Sequence, residues 1–370
     1  MKIAIILGSF STSARPMDFN NIWSNSRGLT GTDLAFVMLA KCLAARGHEI
    51  HAFTIHSSDQ KPYIWEGVNL HNFDERFSII DDSFTSIISI SEPDVFMGLT
   101  DKPLRVCWQF LNDFTYCNQD SYSYVDKFLA ACNKHKDYLK GLTPSPEKWG
   151  YLGLGCTPDD YEDKRVPGRV VWCSSADRGL HLLLQAWPQI RSAVPDATLK
   201  IFYHFGVGEI DKIEPNDPSD NYLLTEMAQR VRYIKNAIKR LKNFGVEHIG
   251  SISRDQMKKE FSEASVLGYP CDTVSFSEGF SVTILEAHAS FTVPVITNRD
   301  CLGEVYGNSG ALIVKSPVKD NLQDYTELVI KSLTDKRFAD SVIDRCRVFA
   351  WHNTWDIVAA KMEGIIKAGK

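Results

Sequence analysis

Residues 276–296 read FSEGFSVTILEAHASFTVPVI, and the rest of the chain is read outward from them. Glu278 and Glu286 are separated by seven residues. Gly279 follows the first glutamate, Ser281 is of the type that caps helix N-termini, and a helical pattern runs over 281–290. A helix starting there turns the backbone N–H groups of residues 280–283 outward. Together with the helix dipole they suit an anion such as a diphosphate. Glu286 then stands about 7–8 Å along the axis, roughly the span from a diphosphate to its ribose. A carboxylate at that point can accept both ribose hydroxyl protons. Glu278 precedes the helix, on the far side of the phosphates, where a sugar would lie.

The flanking sequence alternates between short apolar runs and amphipathic stretches, as in a doubly wound α/β protein. KIAIIL (2–7) reads as a buried strand, the stretch from Leu34 to Leu43 as a helix stopped by Gly47, and EIHAFT (49–54) as a second strand. Strands are expected at 94–99 and 104–110, and a helix at 126–140. A second series follows, with strands at 169–174, 197–203, 246–249, 265–269 and 293–297. Its helices are expected at 179–193, 221–243, 281–290 and 324–334, with a last one around 355–367. Residues 207–220, with Pro215 and Pro218, read as a loop. The Pro-, Gly- and Asp-rich stretch 144–168 carries the linker, placed at 156–168. Two Rossmann-like domains are therefore expected, 1–155 and 169–350, with an interdomain cleft as the first place to look for chemistry.

Composition is compatible with this. The 370 residues suggest two or three domains at about 150 residues each. Hydrophobic residues at 44% and charged residues at 24% are ordinary for a globular protein. A net charge of -5 argues against a nucleic-acid partner. The nine cysteines form no C-x-x-C pair and read as scattered thiols of a reducing compartment. A cytoplasmic location is expected, because MKIAIILGSF is too short for a secretory signal and no run reaches about 18 apolar residues.

The Glu-x7-Glu segment resembles that of retaining glycosyltransferases of the GT-B fold, in particular the large family 4. Other stretches extend the resemblance over nearly the whole chain. TGTDLAFVMLAKCLAARGHEI (30–50) is similar to the family's glycine loop and first helix, with Thr30 in place of the first glycine. YLGLGCTPDDY (151–161), SSADRGLHLLLQAWPQI (174–190), VEHIGSISRDQM (246–257) and GEVYGNSGALIV (303–314) resemble further family segments. AWHNTWDIVAAKM (350–362) resembles the tail helix, about 351–370, that packs back on an acceptor-binding N-terminal domain.

The resemblance implies transfer of a sugar, with retention, from a UDP- or GDP-sugar to a hydroxyl of a glycan or glycoconjugate. The nucleotide-sugar is a substrate, and neither cofactor nor metal is expected; the sequence holds no D-x-D. Arg178 falls where the family has its diphosphate-binding lysine, and a guanidinium there would neutralise charge growing on the leaving group. The resemblance implies donor contacts from Gly31, Thr32, Ser174, Ile252, Gly279, Phe280, Ser281 and Val282 besides Arg178, Glu278 and Glu286.

Two departures stand out. Cys173 replaces an arginine usual in the family, so that one phosphate contact is either missing or supplied elsewhere, by Ser174, Ser175 or Arg254. Asn112 and Asp113 stand where a His-Asp pair is common near the sugar; the pair also reads as a plain turn. Arg178 also reads as a surface arginine, and His288 as a packing residue. Residues 10–27 and 113–126 match no pattern, although the Tyr- and Asp-rich 113–126 would suit an acceptor loop. The basic face of 221–243 (Arg230, Arg232, Lys235, Lys239, Arg240, Lys242) reads either as solvated or as a peripheral contact with an anionic membrane. The competing functions are transfer to modified DNA and nucleotide-sugar binding without turnover. A nicotinamide dehydrogenase fits less well, since GSFSTS (8–13) lacks a G-x-G-x-x-G.

Overall fold

Lys2–Leu7 forms strand β1, apolar after its first residue and buried from Ile3 onward. Such a strand is stable only in the middle of a sheet covered on both faces, and β1 pairs in parallel on either side. The computed structural model of the chain describes residues 1–8, 16–56, 63–114, 117–203 and 222–369. The chain divides into two units, Met1–Gly155 with Asn353–Lys370, and Cys156–His352.

In the first unit β1 is followed by α1 (Gly31–Ala45), β2 (Glu49–Thr54), β3 (Tyr63–Trp65), β4 (Val68–Asn72) and α2 (Arg76–Ile79). Then come β5 (Ser86–Ile90), β6 (Leu104–Trp108), β7 (Lys127–Ala130), α3 (Asn133–Leu139) and β8 (Trp149–Tyr151). Among the described residues the sheet order is β3-β4-β2-β1-β5-β6-β7-β8, parallel except for β3 against β4. Thr30 caps α1 in a reciprocal box with Asp33, which sets Gly31 and Thr32 in the first turn.

Two expectations are corrected here. Residues 94–99 do not form a strand; Pro93–Phe96 is a 3-10 turn, and the strand is β5. Its serines obscured it, yet Ser86 and Ser89 are buried because their hydroxyls donate to the carbonyls of Leu104 (2.7 Å) and Glu92 (2.5 Å). The helix expected over 126–140 begins as β7, and only Asn133–Leu139 is α-helical. In the aromatic stretch 113–126, Phe114 and Tyr122 belong to a core cluster with Phe128 and Trp149. The loop expected at 207–220, residues 9–13 of GSFSTS, and residues 10–15 and 115–116 of the unassigned stretches lie outside the described residues.

The second unit runs β9 (Arg169–Cys173), α4 (Leu180–Ala193), β10 (Thr198–Phe202), α5 (Tyr222–Leu241), β11 (Val246–His248), α6 (Arg254–Glu263) and β12 (Val266–Tyr269). It continues with α7 (Val282–Ala289), β13 (Val293–Thr297), α8 (Leu302–Tyr306), β14 (Leu312–Val314), α9 (Leu322–Thr334) and α10 (Lys336–Trp351). The order is β11-β10-β9-β12-β13-β14, all parallel, so the winding reverses between β9 and β12. Helices α6 and α10 were not anticipated from sequence. Residues 156–168, expected as a linker, are fastened to α6. The amides of Lys164 and Val166 donate to the carbonyls of Ser262 (3.2 Å) and Glu263 (2.8 Å), and Lys258 pairs with Asp160 at 2.9 Å.

The chain then returns to the first unit as α11 (Trp355–Ala368), which buries Trp355, Val358, Ala359, Met362 and Ile366. Arg46, capping α1, donates to Glu363 at 2.9 and 3.0 Å and to Asp356 at 3.3 Å. No helix among the described residues is long and apolar enough to cross a membrane.

Candidate functional site

Where the strand order of a doubly wound sheet reverses, the loops leaving the two central strands part and open a crevice at their carboxyl ends. In the second unit those strands are β9 and β12. Ser174 follows β9, Tyr269 ends β12, and the Glu278 loop leads from β12 into α7.

These segments are cross-linked through side chains. The Tyr269 hydroxyl donates to Glu278 Oε2 at 2.5 Å, and Arg178 Nη1 donates to the same oxygen at 3.0 Å. The Ser174 hydroxyl lies 3.0 Å from that of Tyr269. Tyr269 has one proton and gives it to the carboxylate, so Ser174 is the donor in that pair. The Trp172 ring stacks on Tyr269 with centroids 5.0 Å apart, and Trp172 Nε1 donates to the Ser174 carbonyl at 2.8 Å. Asp300 Oδ2 accepts the backbone N–H groups of Ser277 and Glu278, each at 3.0 Å, and the Thr273 hydroxyl at 2.8 Å.

Arg178 is about one-third exposed and Glu278 is buried. Burial opposes the guanidinium charge, but the Glu278 carboxylate outweighs it and the pKa stands above its ordinary value. Arg178 is held through its backbone as well. Its carbonyl accepts the Asp272 N–H at 3.0 Å, and Arg230 spans both loops, donating to the carbonyls of Asp177 (3.2 Å) and Asp272. Arg230 also meets Asp272 Oδ2 at 3.3 Å and Glu226 at 2.7 Å, so it does not belong to the basic face expected of α5.

Helix α7 begins at Val282, and its first-turn amides have no acceptor within the helix. One expectation is corrected. Ser281 occupies the N-cap position but makes no side-chain cap; it sits at φ 69°, and its carbonyl accepts the Tyr306 hydroxyl at 2.7 Å. The left-handed backbone turns its side chain away from the helix amides. The Thr283 hydroxyl instead ties the first turn to the Cys173 carbonyl at 2.7 Å. Phe280 is buried edge-on to Tyr306, and Gly279 lies between it and Glu278.

Glu286 is buried on α7 and paired with Arg254, the first residue of α6, whose Nη2 also donates to the Tyr161 hydroxyl at 3.2 Å. The Arg254 pKa is raised: burial opposes the charge, but Glu286 and Tyr161 overcome it. Arg254 is thus committed to Glu286. The Ser175 hydroxyl is committed to Asp177, and that of Ser174 to Tyr269. Cys173 supplies no charge, because burial, with Glu286 and Glu260 nearby, drives its thiol well above the ordinary range. Ile252 is half-buried just before α6. His288 is fully buried, with Nδ1 2.7 Å from the Ile284 carbonyl and Nε2 2.7 Å from the Ser309 hydroxyl.

The second unit therefore brings together Arg178, Ser174, Glu278, Gly279, Phe280, Ser281, Val282 and Glu286. Gly31 and Thr32, at the start of α1, and Asn112 and Asp113, in the bend after β6, lie in the first unit. Tyr269, Asp300 and Thr273 were not singled out from sequence, and Arg230 was named only as part of the basic face of 221–243. The one available signal was a tyrosine ending an otherwise apolar strand.

Residues 174–347, which contain this whole cluster, match the family of glycosyl transferases group 1. That stretch of the second unit is similar to the group 1 glycosyl transferases. Solved structures agree in fold over the full length of the chain. Sucrose-phosphate synthase from Thermosynechococcus elongatus is 13% identical with a TM-score of 0.69, over 100% of this chain and 99% of that one. HepE from Anabaena, solved in complex with UDP-glucose, is 11% identical with a TM-score of 0.68, over 100% of both chains. Trehalose-6-phosphate synthase OtsA is 9% identical with a TM-score of 0.72, over 99% of both. The architecture is the GT-B fold. No curated protein sequence matches the chain.

Proposed function

We propose that the chain is a retaining, metal-independent glycosyltransferase that moves a sugar from a nucleoside-diphosphate donor to a hydroxyl acceptor, a glycan or glycoconjugate. The observation that carries this reading is the placement of Glu278 and Glu286 on either side of the α7 N-terminus, with Arg178 fixed on Glu278. The diphosphate would lie against the first-turn amides of α7 and the remaining Arg178 donors. These groups stabilise negative charge as the bond to the sugar breaks. Glu286, whose Oε1 is taken by Arg254, would accept a ribose hydroxyl on its other oxygen. The crystallised complex of HepE with UDP-glucose favours a UDP-sugar donor here.

Titration calorimetry with UDP, GDP and ADP, in EDTA and then with magnesium, tests this. One diphosphate should bind, equally well in both buffers. Arg178→Ala should weaken it about 10- to 100-fold, the worth of one or two charge-assisted hydrogen bonds. Binding that requires magnesium, or that Arg178→Ala leaves untouched, would refute the reading.

A further inference from the structure

The Glu278 carboxylate is used unequally. Oε2 receives both Tyr269 and Arg178, whereas Oε1 makes no hydrogen bond among the described residues. The Tyr269 ring cannot swing away. It is fully buried, stacked on Trp172, and its oxygen accepts from Ser174. The loop beneath Glu278 is fixed independently by Asp300, which grips its backbone N–H at 3.0 Å. The phenol therefore has one remaining task, which is to choose the carboxylate rotamer.

We propose that Tyr269 is a positioning residue for sugar transfer: its hydroxyl holds Glu278 Oε2 against Arg178 and so presents Oε1 to a hydroxyl of the donor sugar. This rests on the donor-site reading above and adds to it a group from a different strand that touches neither diphosphate nor nucleoside. An aromatic residue without the hydroxyl would pack equally well and leave Glu278 free to turn. Arg178 alone does not fix the carboxylate, since its single hydrogen bond to Glu278 comes from a chain end one-third exposed.

The test uses the full chain, the nucleoside diphosphate that binds it, and the matching glucose and mannose nucleotides as probes. Hydrolysis of the donor is followed in the absence of added acceptor: water bonds to the anomeric carbon as the bond to the diphosphate breaks, and free sugar and diphosphate are released. Tyr269→Phe should lower the rate of release about 10- to 100-fold while leaving affinity for the sugar-free diphosphate within twofold. In a Glu278→Gln background the same substitution should cost nothing further. Ser174→Ala, which removes only the outer hydroxyl, should shift the same quantities less, and it serves if Tyr269→Phe does not fold. An unchanged rate, additive losses in the double variant, or parallel loss of diphosphate affinity would each overturn the positioning role. If no diphosphate binds, or if Glu278→Gln releases it at the parental rate, the donor-site reading itself fails and the proposal with it.

Discussion

Gly179 occupies φ +125°, and a Cβ there would stand 2.1 Å from the Pro270 carbonyl oxygen. Gly179→Ala should cost about 2 kcal/mol or more in urea melts and weaken diphosphate binding, because the displaced loop carries Arg178. The Arg254–Glu286 pair makes a second residue-scale prediction. Arg254→Ala leaves a buried carboxylate without its cation and should destabilise by about 3–5 kcal/mol. Replacing both members by methionine should recover most of that stability but not donor affinity. Burial holds His135, His181 and His288 at a pKa of about 4, with the Arg230 charge adding to the effect at His181. They are neutral when folded, whereas the unfolded chain takes up their protons below about pH 6.5. Their contribution is therefore complete above pH 6.5 and is lost as pH falls towards 4, by up to about 1.4 kcal/mol per unit for each histidine. Urea midpoints at pH 7 and pH 5 check the sign. At this scale the sequence pattern put a helix start between Glu278 and Glu286, and α7 begins there, at Val282. Tyr269 and Asp300 were not legible, because their contacts with Glu278 span 9 and 22 positions and depend on strand order.

Among elements, the interior strands of the second unit were legible because they are unbroken apolar runs: Val293–Thr297 lies where expected and is buried throughout. Strand β7 was lost because KFLA adjoins helix-forming sequence, and four residues are too few for period alone to separate strand from helix. Helix α10 follows α9 after a single residue, Asp335, whose side chain caps it by accepting the Phe338 N–H at 3.0 Å. Helix α11 gives the clearest prediction at this level. Met362 is fully buried on it, and Met362→Ala should cost about 2–5 kcal/mol. Lys361→Ala, on the exposed face, should fall within about 0.5 kcal/mol by the same melts.

For the molecule as a whole, the doubly wound character followed from the alternation of runs, and the GT-B architecture from the resemblance. The discontinuity of the first unit follows from packing. Gly155 ends its first segment, and a Cβ on Gly155 would stand 2.6 Å from the Trp355 backbone nitrogen. The points where the chain leaves this unit and rejoins it are thus side by side. Residues 1–155 joined through a short Gly/Ser bridge to 353–370 should fold with a cooperative melt, whereas 1–155 alone should expose the α1 face that α11 covers and aggregate. Circular dichroism and sedimentation of the two chains would decide this. The same adjacency has a consequence for biosynthesis. The ribosome delivers 1–155 first but α11 only after the whole second unit, so the earlier-made unit is the later one to be finished. A nascent chain arrested between residues 352 and 355 would carry every strand of the second sheet and an unfinished first unit. That makes the interval before α11 emerges the period in which chaperone protection matters most.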